Sequence, residues 1–216
     1  MRRLCSVAAA VALSLAGLAA MAAPASAGAP YYRTTIGSWV VQADMKPIAG
    51  TDANNTGLAR PGDILDIYCQ LSDNHNVRWD LALNHSGRAG QQFAETIGFV
   101  PYSTTAGVYQ VPSCNDRFFP IFAFFGKALK SPYVQADMKP IPGTDANNTG
   151  LFRAGDSVDG FCSLSDNHNM VWVLVINRNG HAGQQFANTV GFVPYDVIDG
   201  IGITVECPLP GVPIGG

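Results

Sequence analysis

Residues 41–48 read Val-Gln-Ala-Asp-Met-Lys-Pro-Ile, and residues 134–141 repeat the same eight residues in the same order. A shift of 93 positions extends this match, so that residues 41–102 align with residues 134–195 at roughly 70% identity. A fixed period of this length is typical of tandem structural units. The repeat therefore predicts two copies of one small domain.

The first residues have the pattern of a secretory leader. Met1-Arg2-Arg3 is basic, residues 4–22 are almost entirely apolar, and Ala25-Ser26-Ala27 is a small-residue cleavage site. A membrane anchor is the alternative, but the stretch ends in Pro24 and small residues without a charged flank, which favours cleavage. We expect a signal peptide at residues 1–27 and a secreted, extracellular protein, associated with the cell wall if its ligand lies there.

The rest of the chain divides into four segments. We assign residues 28–114 to domain 1, 115–123 to an apolar linker, 124–207 to domain 2 and 208–216 to a flexible tail. The linker is too apolar to be left in solvent, so it is expected to pack between the two domains. Each domain is expected to fold alone.

Four cysteines follow the leader: Cys69, Cys114, Cys162 and Cys207. An even number in an exported chain predicts disulfides, and four cysteines allow three pairings. The repeat favours Cys69–Cys114 with Cys162–Cys207, because each domain then holds its own bridge. No Cys-x-x-Cys spacing is present, which argues against metal ligation. No cofactor is expected.

The charge of the chain limits its partners. The whole sequence has a net charge of −3, and removing the leader with its two arginines makes the mature chain two units more negative. Such a surface gains little from nucleic acid or from strongly anionic polymers. No apolar run after the leader is long enough to cross a bilayer, so no membrane partner is expected.

The local pattern is that of an all-β protein. Short apolar runs alternate with segments rich in Gly, Asn, Asp and Pro. Residues 60–63 (Arg-Pro-Gly-Asp) predict a turn with Pro second and Gly third. Residues 64–71 alternate in polarity, as a half-buried strand does. The equivalent of the next strand, residues 171–176, is apolar throughout, which predicts a strand covered on both faces and a contact between the units.

The order of these elements resembles a bacterial SH3 domain. In the first copy the resemblance rests on Gly57-Leu58, Gly62-Asp63, Trp79 and Gly98-Phe99-Val100. In the second copy it rests on Gly150-Leu151, Gly155-Asp156, Trp172 and Gly191-Phe192-Val193. The resemblance implies two tandem SH3-like β-barrels that bind cell-wall peptides or other extracellular polymers and are not enzymes. It also implies that Tyr102 and Tyr195, which follow the last central strand, line a ligand groove.

A polar loop in each copy imitates a calcium-binding loop. Asp52, Asn54 and Thr56 alternate before Gly57, and Asp63 stands at position twelve. Oxygen ligands at alternate positions suit calcium. However, the flanks are not helical, Pro61 interrupts the loop, and position twelve lacks the usual Glu. We therefore expect a turn whose side chains bond their own backbone, and no metal.

The turn before each Trp strand raises the question of catalysis. Asp73 and His75 recur as Asp166 and His168, and an Asp beside a His suggests a general base. No Ser or Cys nucleophile accompanies them, so local hydrogen bonding is the expected role. Trp79 is expected to be a core residue rather than a stacking platform.

Between the copies, the loops agree while one strand differs. Residues 50–58, 71–76 and 89–94 are identical to their partners, although loops normally diverge faster than strands. A recent duplication explains this, and so does a shared ligand bound twice with avidity. The predicted ligand-binding residues share these loops or the following tyrosine: Asp52, Asn54, Asn74, His75, Tyr102, Asp145, Asn147, Asn167, His168 and Tyr195.

The sequence therefore predicts a secreted, non-enzymatic protein that binds cell-wall or another extracellular polymer. Three alternatives remain open. The first is an extracellular protein-binding module or enzyme inhibitor, and the second is a secreted hydrolase. The third is a self-assembling surface protein in which residues 118–125 make the contact.

Overall fold

A computed structural model of the protein describes residues 32–50, 55–86, 95–107, 109–116, 122–143, 147–179, 188–202 and 204–208. The described residues form β-strands, turns and two short 3₁₀ turns, with no α-helix among them. The predicted all-β class is therefore confirmed. The predicted leader and residues 209–216 of the predicted tail lie outside these ranges.

Each repeat contributes six described strands. Those of the first unit are β1 (Tyr32–Thr35), β2 (Ala43–Met45), β3 (Gly57–Ala59), β4 (Ile64–Ser72), β5 (Arg78–Asn84) and β6 (Thr96–Pro101). Those of the second unit are β7 (Phe124–Lys127), β8 (Gln135–Met138), β9 (Gly150–Arg153), β10 (Val158–Ser165), β11 (Val171–Asn177) and β12 (Thr189–Pro194). The two 3₁₀ turns, Tyr102–Thr104 and Tyr195–Val197, follow the last strand of each unit.

Both units have the same topology. Four strands form an antiparallel sheet in the order β1-β4-β5-β6, which the second unit repeats as β7-β10-β11-β12. The remaining two strands pair as a hairpin, β2 with β3 and β8 with β9. The described strands form open sheets and no closed barrel. Only isolated pairs join hairpin and end segments to the sheet, such as Lys46 with Phe99 and Ile36 with Thr105.

The turn at residues 60–63 forms as its residues predict. Gly62 has φ of 83°, a value that Gly adopts without steric cost. The Asp63 N–H donates to the Arg60 carbonyl at 2.9 Å, and the Asp63 carboxylate accepts in return from the Arg60 N–H, also at 2.9 Å. The same carboxylate accepts from Asn84 Nδ2 at 3.1 Å, so the turn is tied to the end of β5.

The two predicted disulfides are confirmed. Cys69 is bonded to Cys114 and Cys162 to Cys207, each across 45 positions of sequence. All four cysteines are buried. Both bridges are therefore part of the core, and they fit an oxidising environment.

The core is shared between the units. One face of each four-stranded sheet packs against other elements of its own unit. This packing gives two separate hydrophobic clusters, one in each unit. The other faces of the two sheets meet in a single cluster that includes Leu81 and Phe99 from unit 1 and Leu174 and Phe192 from unit 2. Residues 79–84 of β5 are consequently all buried, as are residues 172–177 of β11. Burial of both faces was predicted for the second unit and occurs in both.

Reciprocal contacts relate the units by an approximate two-fold axis. The Pro47 carbonyl accepts from the Val190 N–H at 2.8 Å, and the Pro140 carbonyl accepts from the Ile97 N–H at the same distance. A shift of 93 positions exchanges these two bonds. Tyr68 and its equivalent Phe161 contact each other with ring centroids 5.2 Å apart, as expected for residues on the axis.

Of the described residues of the predicted linker, Phe122 is buried, whereas Asn115 at the other end is exposed. Phe122 is 4% exposed, and its ring centroid lies 4.6 Å from that of Phe161 and 4.9 Å from that of Phe125. Phe122 packs against the shared core, as predicted for the linker, but this concerns that residue alone. Residues 117–121 lie outside the described ranges.

Candidate binding sites on the two units

The turn before β5 is organised by one carboxylate. Asp73 Oδ1 accepts from the backbone N–H groups of His75 and Val77, both at 2.9 Å. Asp73 Oδ2 accepts from Trp79 Nε1 at 3.0 Å. The second unit repeats all three bonds around Asp166, with Trp172 at 3.0 Å. The identity of this turn between the copies therefore has a structural reason.

These bonds leave no Asp–His dyad at the turn. Partial desolvation opposes the shift, but the bonds from Trp79, Val77 and His75 hold the pKa of Asp73 below its usual value. His75 contacts Asp73 through its backbone N–H, and its side chain is exposed. The expectation of local hydrogen bonding is confirmed here. Both Trp79 and Trp172 are 2% exposed and belong to the core, as predicted.

The exposed side chains of this turn are the predicted ligand-binding ones. Asn74 and His75 face solvent in unit 1, and Asn167 and His168 face solvent in unit 2. The Asn76 backbone has φ of 60°, and its equivalent Asn169 has φ of 61°. These are left-handed (αL) values, which Asn adopts more readily than most residues, and this residue closes each turn. The exposed side chains are therefore attached to a backbone of defined conformation.

Tyr102 lies at the same end of the sheet as this turn, because Trp79 pairs with Pro101. The guanidinium carbon of Arg78 lies 3.4 Å from the centroid of the half-buried Tyr102 ring, a cation–π contact. The Tyr102 and Tyr109 rings are also in a T-shaped contact, with centroids 5.3 Å apart. One ring face is therefore covered by the protein's own cation.

Tyr195 occupies the equivalent place in unit 2 but has other partners. Its hydroxyl donates to the carbonyls of Ile201 at 3.2 Å and Gly202 at 3.0 Å. Val171 stands where unit 1 has Arg78, and it is 40% exposed. The two tyrosines are thus equivalent in position and different in chemistry.

The described part of the long polar loop lies at the opposite end of the strands. Thr56 Oγ1 donates to the Ile97 carbonyl at 2.9 Å, and Asn84 Nδ2 donates to the Leu58 carbonyl at 3.3 Å. These positions are at the start of β6 and the end of β5, and six strand residues span roughly 16 Å. Within the described residues, this loop and the Tyr102 end do not form one groove. Asp52, Asn54 and Asp145 lie outside the described ranges, whereas Asn147 is described and exposed.

A lysine ammonium occupies the base of each long loop. Lys46 Nζ donates to Asn55 Oδ1 at 2.6 Å, and Lys139 Nζ donates to Asn148 Oδ1 at 2.7 Å. Each lysine is 8% exposed. A fixed positive charge beside the oxygen atoms of the loop opposes the binding of a second cation there. Within the described ranges, no three metal-ligating side chains are grouped closely enough to hold a metal ion.

Unit 1 contains a buried acid that the sequence analysis did not single out. Asp80 is fully buried, and its Oδ2 accepts from the Tyr109 hydroxyl at 2.6 Å. Its Oδ1 has no hydrogen-bond partner among the described residues. Burial raises the pKa of Asp80 to about 6, although the Tyr109 bond and the Arg78 charge act against this. Burial and the nearby carboxylate together raise the pKa of Tyr109 well above its usual value.

A second buried acid occurs in both units. Asp66 receives two bonds from Arg33, at 2.6 and 2.8 Å, and lies 2.7 Å from His85 Nε2. Burial alone would raise the pKa of Asp66, but the bonds and charges of Arg33 and His85 bring it below its usual value. The equivalent Asp159 is bonded by Arg178 Nε at 2.7 Å and by the Gly126 N–H at 2.7 Å.

The largest exposed aromatic side chain was also missed. Trp39 is 66% exposed, and Tyr32 in the edge strand β1 is 39% exposed. Trp39 lies just before the identical stretch and has no aromatic counterpart, since Pro132 occupies the equivalent position. The signal that would have found it is a large aromatic in a Gly-Ser-Trp turn segment that differs between the copies.

Comparison of the sequence with models of known protein families finds no match, and comparison with curated proteins finds none either. In the described part of the chain, no helix has the length and hydrophobicity needed to cross a membrane.

Proposed function

We propose that this is a secreted, non-catalytic binding protein whose two SH3-like units each recognise part of a cell-wall or other extracellular polymer. The observation that carries this proposal is the repeated site at the Tyr end of each sheet. There a self-bonded turn presents exposed polar side chains next to a tyrosine: Asn74, His75 and Tyr102 in unit 1, and Asn167, His168 and Tyr195 in unit 2.

The chemistry of the site favours binding over catalysis. The acid of each turn uses both oxygen atoms to hold the backbone and the tryptophan in place. A general base must instead be within hydrogen-bond reach of a reacting proton. The exposed amide and imidazole groups provide donors and acceptors that suit a polar ligand without any such step.

The SH3-like assignment rests on the order of the elements. Hairpin, turn, long strand, short turn, Trp strand, loop and last strand follow one another as in that family, and a 3₁₀ turn comes next. The isolated pairs of Lys46 with Phe99 and Ile36 with Thr105 bring the hairpin and the segment after the 3₁₀ turn to the sheet. Secretion is supported by the leader and by the two buried disulfides.

Two sites on one rigid body suit a repetitive ligand. The shared core and the reciprocal bonds of Pro47 and Pro140 hold the units in one relative orientation. A second binding event on the same polymer is then intramolecular, and its effective concentration raises the overall affinity.

The test is retention of the mature protein on insoluble peptidoglycan. We expect Tyr102→Ala and Tyr195→Ala each to weaken retention sharply, because avidity is lost with one site, and the double variant to abolish it. The matched control is Val41→Ala, which changes an 88% exposed side chain that no described contact uses. Each variant must melt like the parent protein. Unchanged retention of a folded double variant contradicts the proposed sites, and binding of the parent to a protein but to no polymer favours the inhibitor alternative.

A further inference from the structure

Trp39 is the one tryptophan of this chain that faces solvent. The chain has three tryptophans, and the other two are each 2% exposed, whereas Trp39 is 66% exposed. Exposure of so large an apolar side chain costs hydrophobic stabilisation. The contacts that hold the indole ring in this exposed position point to a functional reason for the exposure.

The indole ring is fixed in orientation from two sides. Its Nε1–H donates to the Ser103 carbonyl at 3.2 Å. One ring face lies against the backbone of Gly37, where a Cβ atom would overlap the indole. Gly37 itself is held, since its N–H donates to the Thr104 carbonyl at 2.9 Å. The opposite face of the ring is therefore presented to solvent as a rigid, flat platform.

Tyr102 and the groups around it are connected to this platform through Ser103. Ser103 is the neighbour of Tyr102, and Tyr102 carries the Arg78 guanidinium. Within the part of the chain that the structure describes, Arg78 makes no salt bridge and no side-chain hydrogen bond. Tyr32, 39% exposed, is stacked on Tyr109 with centroids 4.6 Å apart, and Tyr109 contacts Tyr102. The aromatic rings and the Arg78 guanidinium, with its five N–H donors, thus form one connected cluster that Trp39 joins through Ser103.

Unit 2 has no equivalent of this surface. Lys130 replaces Gly37, Pro132 replaces Trp39, Val171 replaces Arg78 and Gly202 replaces Tyr109. The platform is therefore a property of unit 1 alone and did not follow from the repeat.

The chemistry of the platform selects one class of polymer. A pyranose ring has an apolar face of C–H groups that fits a flat aromatic ring, and hydroxyl groups at its rim that accept from a guanidinium. An extended proline-rich peptide also packs on aromatic side chains. Such peptides dock in grooves lined by several aromatic side chains, however, whereas Trp39 presents a single ring face backed by Gly37. The net negative charge of the chain disfavours polyanions.

We propose that Trp39 is a glycan-binding site that stacks a pyranose ring of a neutral polysaccharide on its free face, with the Tyr102–Arg78 pair joined to it through Ser103. This inference rests on the proposed function in taking the ligand to be an extracellular polymer. It adds a site and a ligand class that the repeat-based proposal does not contain.

The test uses acrylamide quenching of tryptophan fluorescence in the mature protein. Because Trp79 and Trp172 are buried, the quenchable emission comes from Trp39. We expect cellohexaose or chitohexaose to protect Trp39 from quenching in a saturable manner. Trp39→Ala, measured by calorimetry because it removes the reporter, should weaken binding about tenfold or more. Arg78→Val, which places the unit 2 residue in unit 1, should weaken it by a smaller factor.

The matched control is Tyr133→Ala, which removes a 42% exposed aromatic of unit 2 and should leave oligosaccharide affinity unchanged. The inference is overturned if neither saturating oligosaccharide protects Trp39, if Trp39→Ala binds as the parent does, or if a polyproline peptide protects it instead. If the parent is still retained on peptidoglycan in those cases, the proposed function stands and only the glycan site fails. Loss of retention on every polymer contradicts both.

Discussion

The two units solve the same electrostatic problem with different residues. Both bury one aspartate in the second strand of the sheet, Asp66 in unit 1 and Asp159 in unit 2. In unit 1 the charge is met by Arg33 from the edge strand, and His85 Nε2 lies within hydrogen-bond distance of the same carboxylate. In unit 2 the residue equivalent to Arg33 is Gly126, and Arg178, at the position of His85, provides the cation. The buried acid is thus at the equivalent position in both units, whereas the arginine that pairs with it is at a different position in each.

Arg178 also makes a contact that joins the two units. Arg178 Nη2 donates to the Cys114 carbonyl at 2.7 Å, so it joins the buried acid of unit 2 to the disulfide segment of unit 1. His85 makes no such bond, and its Nδ1 has no partner among the described residues. Residues that are identical in the two units thus form the turns and the buried acid. Residues that differ add contacts between the units and determine which side chains each unit exposes.

Separating the units is the most severe way to break the comparison. We expect residues 28–114 alone to lose cooperative melting as a monomer, because Leu81, Phe99 and their neighbours in the shared cluster would be left without a cover. This differs from the sequence-based expectation that each domain folds alone. Circular dichroism melts of the fragment and the whole chain, with the oligomeric state of each measured, provide the check. A monomeric fragment that melts as cooperatively as the parent contradicts it.

Removing the buried acid should have the next largest effect. Asp66→Asn leaves the Arg33 guanidinium without its counter-charge, and breaking such a buried pair costs about 3–5 kcal/mol of unfolding free energy. Asp159→Asn is the matched variant and should cost a similar amount. Urea denaturation at neutral pH measures both. A loss well under about 1 kcal/mol in either variant would show that the pair is not stabilising there.

The pH dependence of this effect has a definite sign. The pKa of Asp66 is lower in the folded protein than its usual value of 3.8. Its contribution to stability is therefore present above that pH and is lost as the pH falls through the folded-state pKa. The difference between the parent and Asp66→Asn should shrink accordingly in acid.

Asp80 should show the opposite sign and a smaller effect. Its pKa is raised from 3.8 to about 6, so the unfolded chain releases this proton at a lower pH than the folded protein does. Stability from this group is present below about pH 4 and is lost as the pH rises through about 6, in total about 3 kcal/mol. Asp80→Asn should lack this slope, which denaturation at a series of pH values measures. Unit 2 has Val173 at this position, so the slope belongs to unit 1. A parent curve that is flat between pH 4 and 7 after subtraction of the variant's would contradict the assignment.

Much of the fold could be predicted because the sequence repeat reveals two equivalent units. The shift of 93 positions indicated the disulfide pairing, and Pro61-Gly62 indicated the turn that the structure shows. The shared core was harder to predict from unit 1. Asp80 and Asn84 make β5 look half-exposed, yet both are buried, because Tyr109 and Asp63 bond to them. Single-strand polarity does not reveal partners that lie far apart in sequence.

The candidate sites were predictable only in part, for a related reason. Identity between the copies pointed to the turn of Asn74 and His75, which the structure shows to be exposed and well determined. The same reasoning could not find Trp39, because a residue without a counterpart carries no repeat signal. Its orientation depends on Gly37 and on the Ser103 carbonyl, contacts that exist only after folding.

Calcium should have the smallest effect, and it tests whether the identical long loops are a shared structure or a shared ion site. In both units the loop is bonded to a buried lysine, Lys46 at Asn55 and Lys139 at Asn148. Asp63, which a calcium loop would use at position twelve, already accepts from Arg60 and Asn84. An ion that bound only the folded state would raise the melting temperature by mass action. We expect millimolar calcium or a chelator to leave the melting midpoint unchanged within error in differential scanning calorimetry.

The sharper comparison is Lys46→Met, which removes the competing charge from unit 1 and leaves unit 2 as the internal control. If the parent is insensitive and this variant gains a calcium-dependent shift, the lysine is what excludes the ion. A shift of several degrees in the parent itself would overturn the argument for both loops.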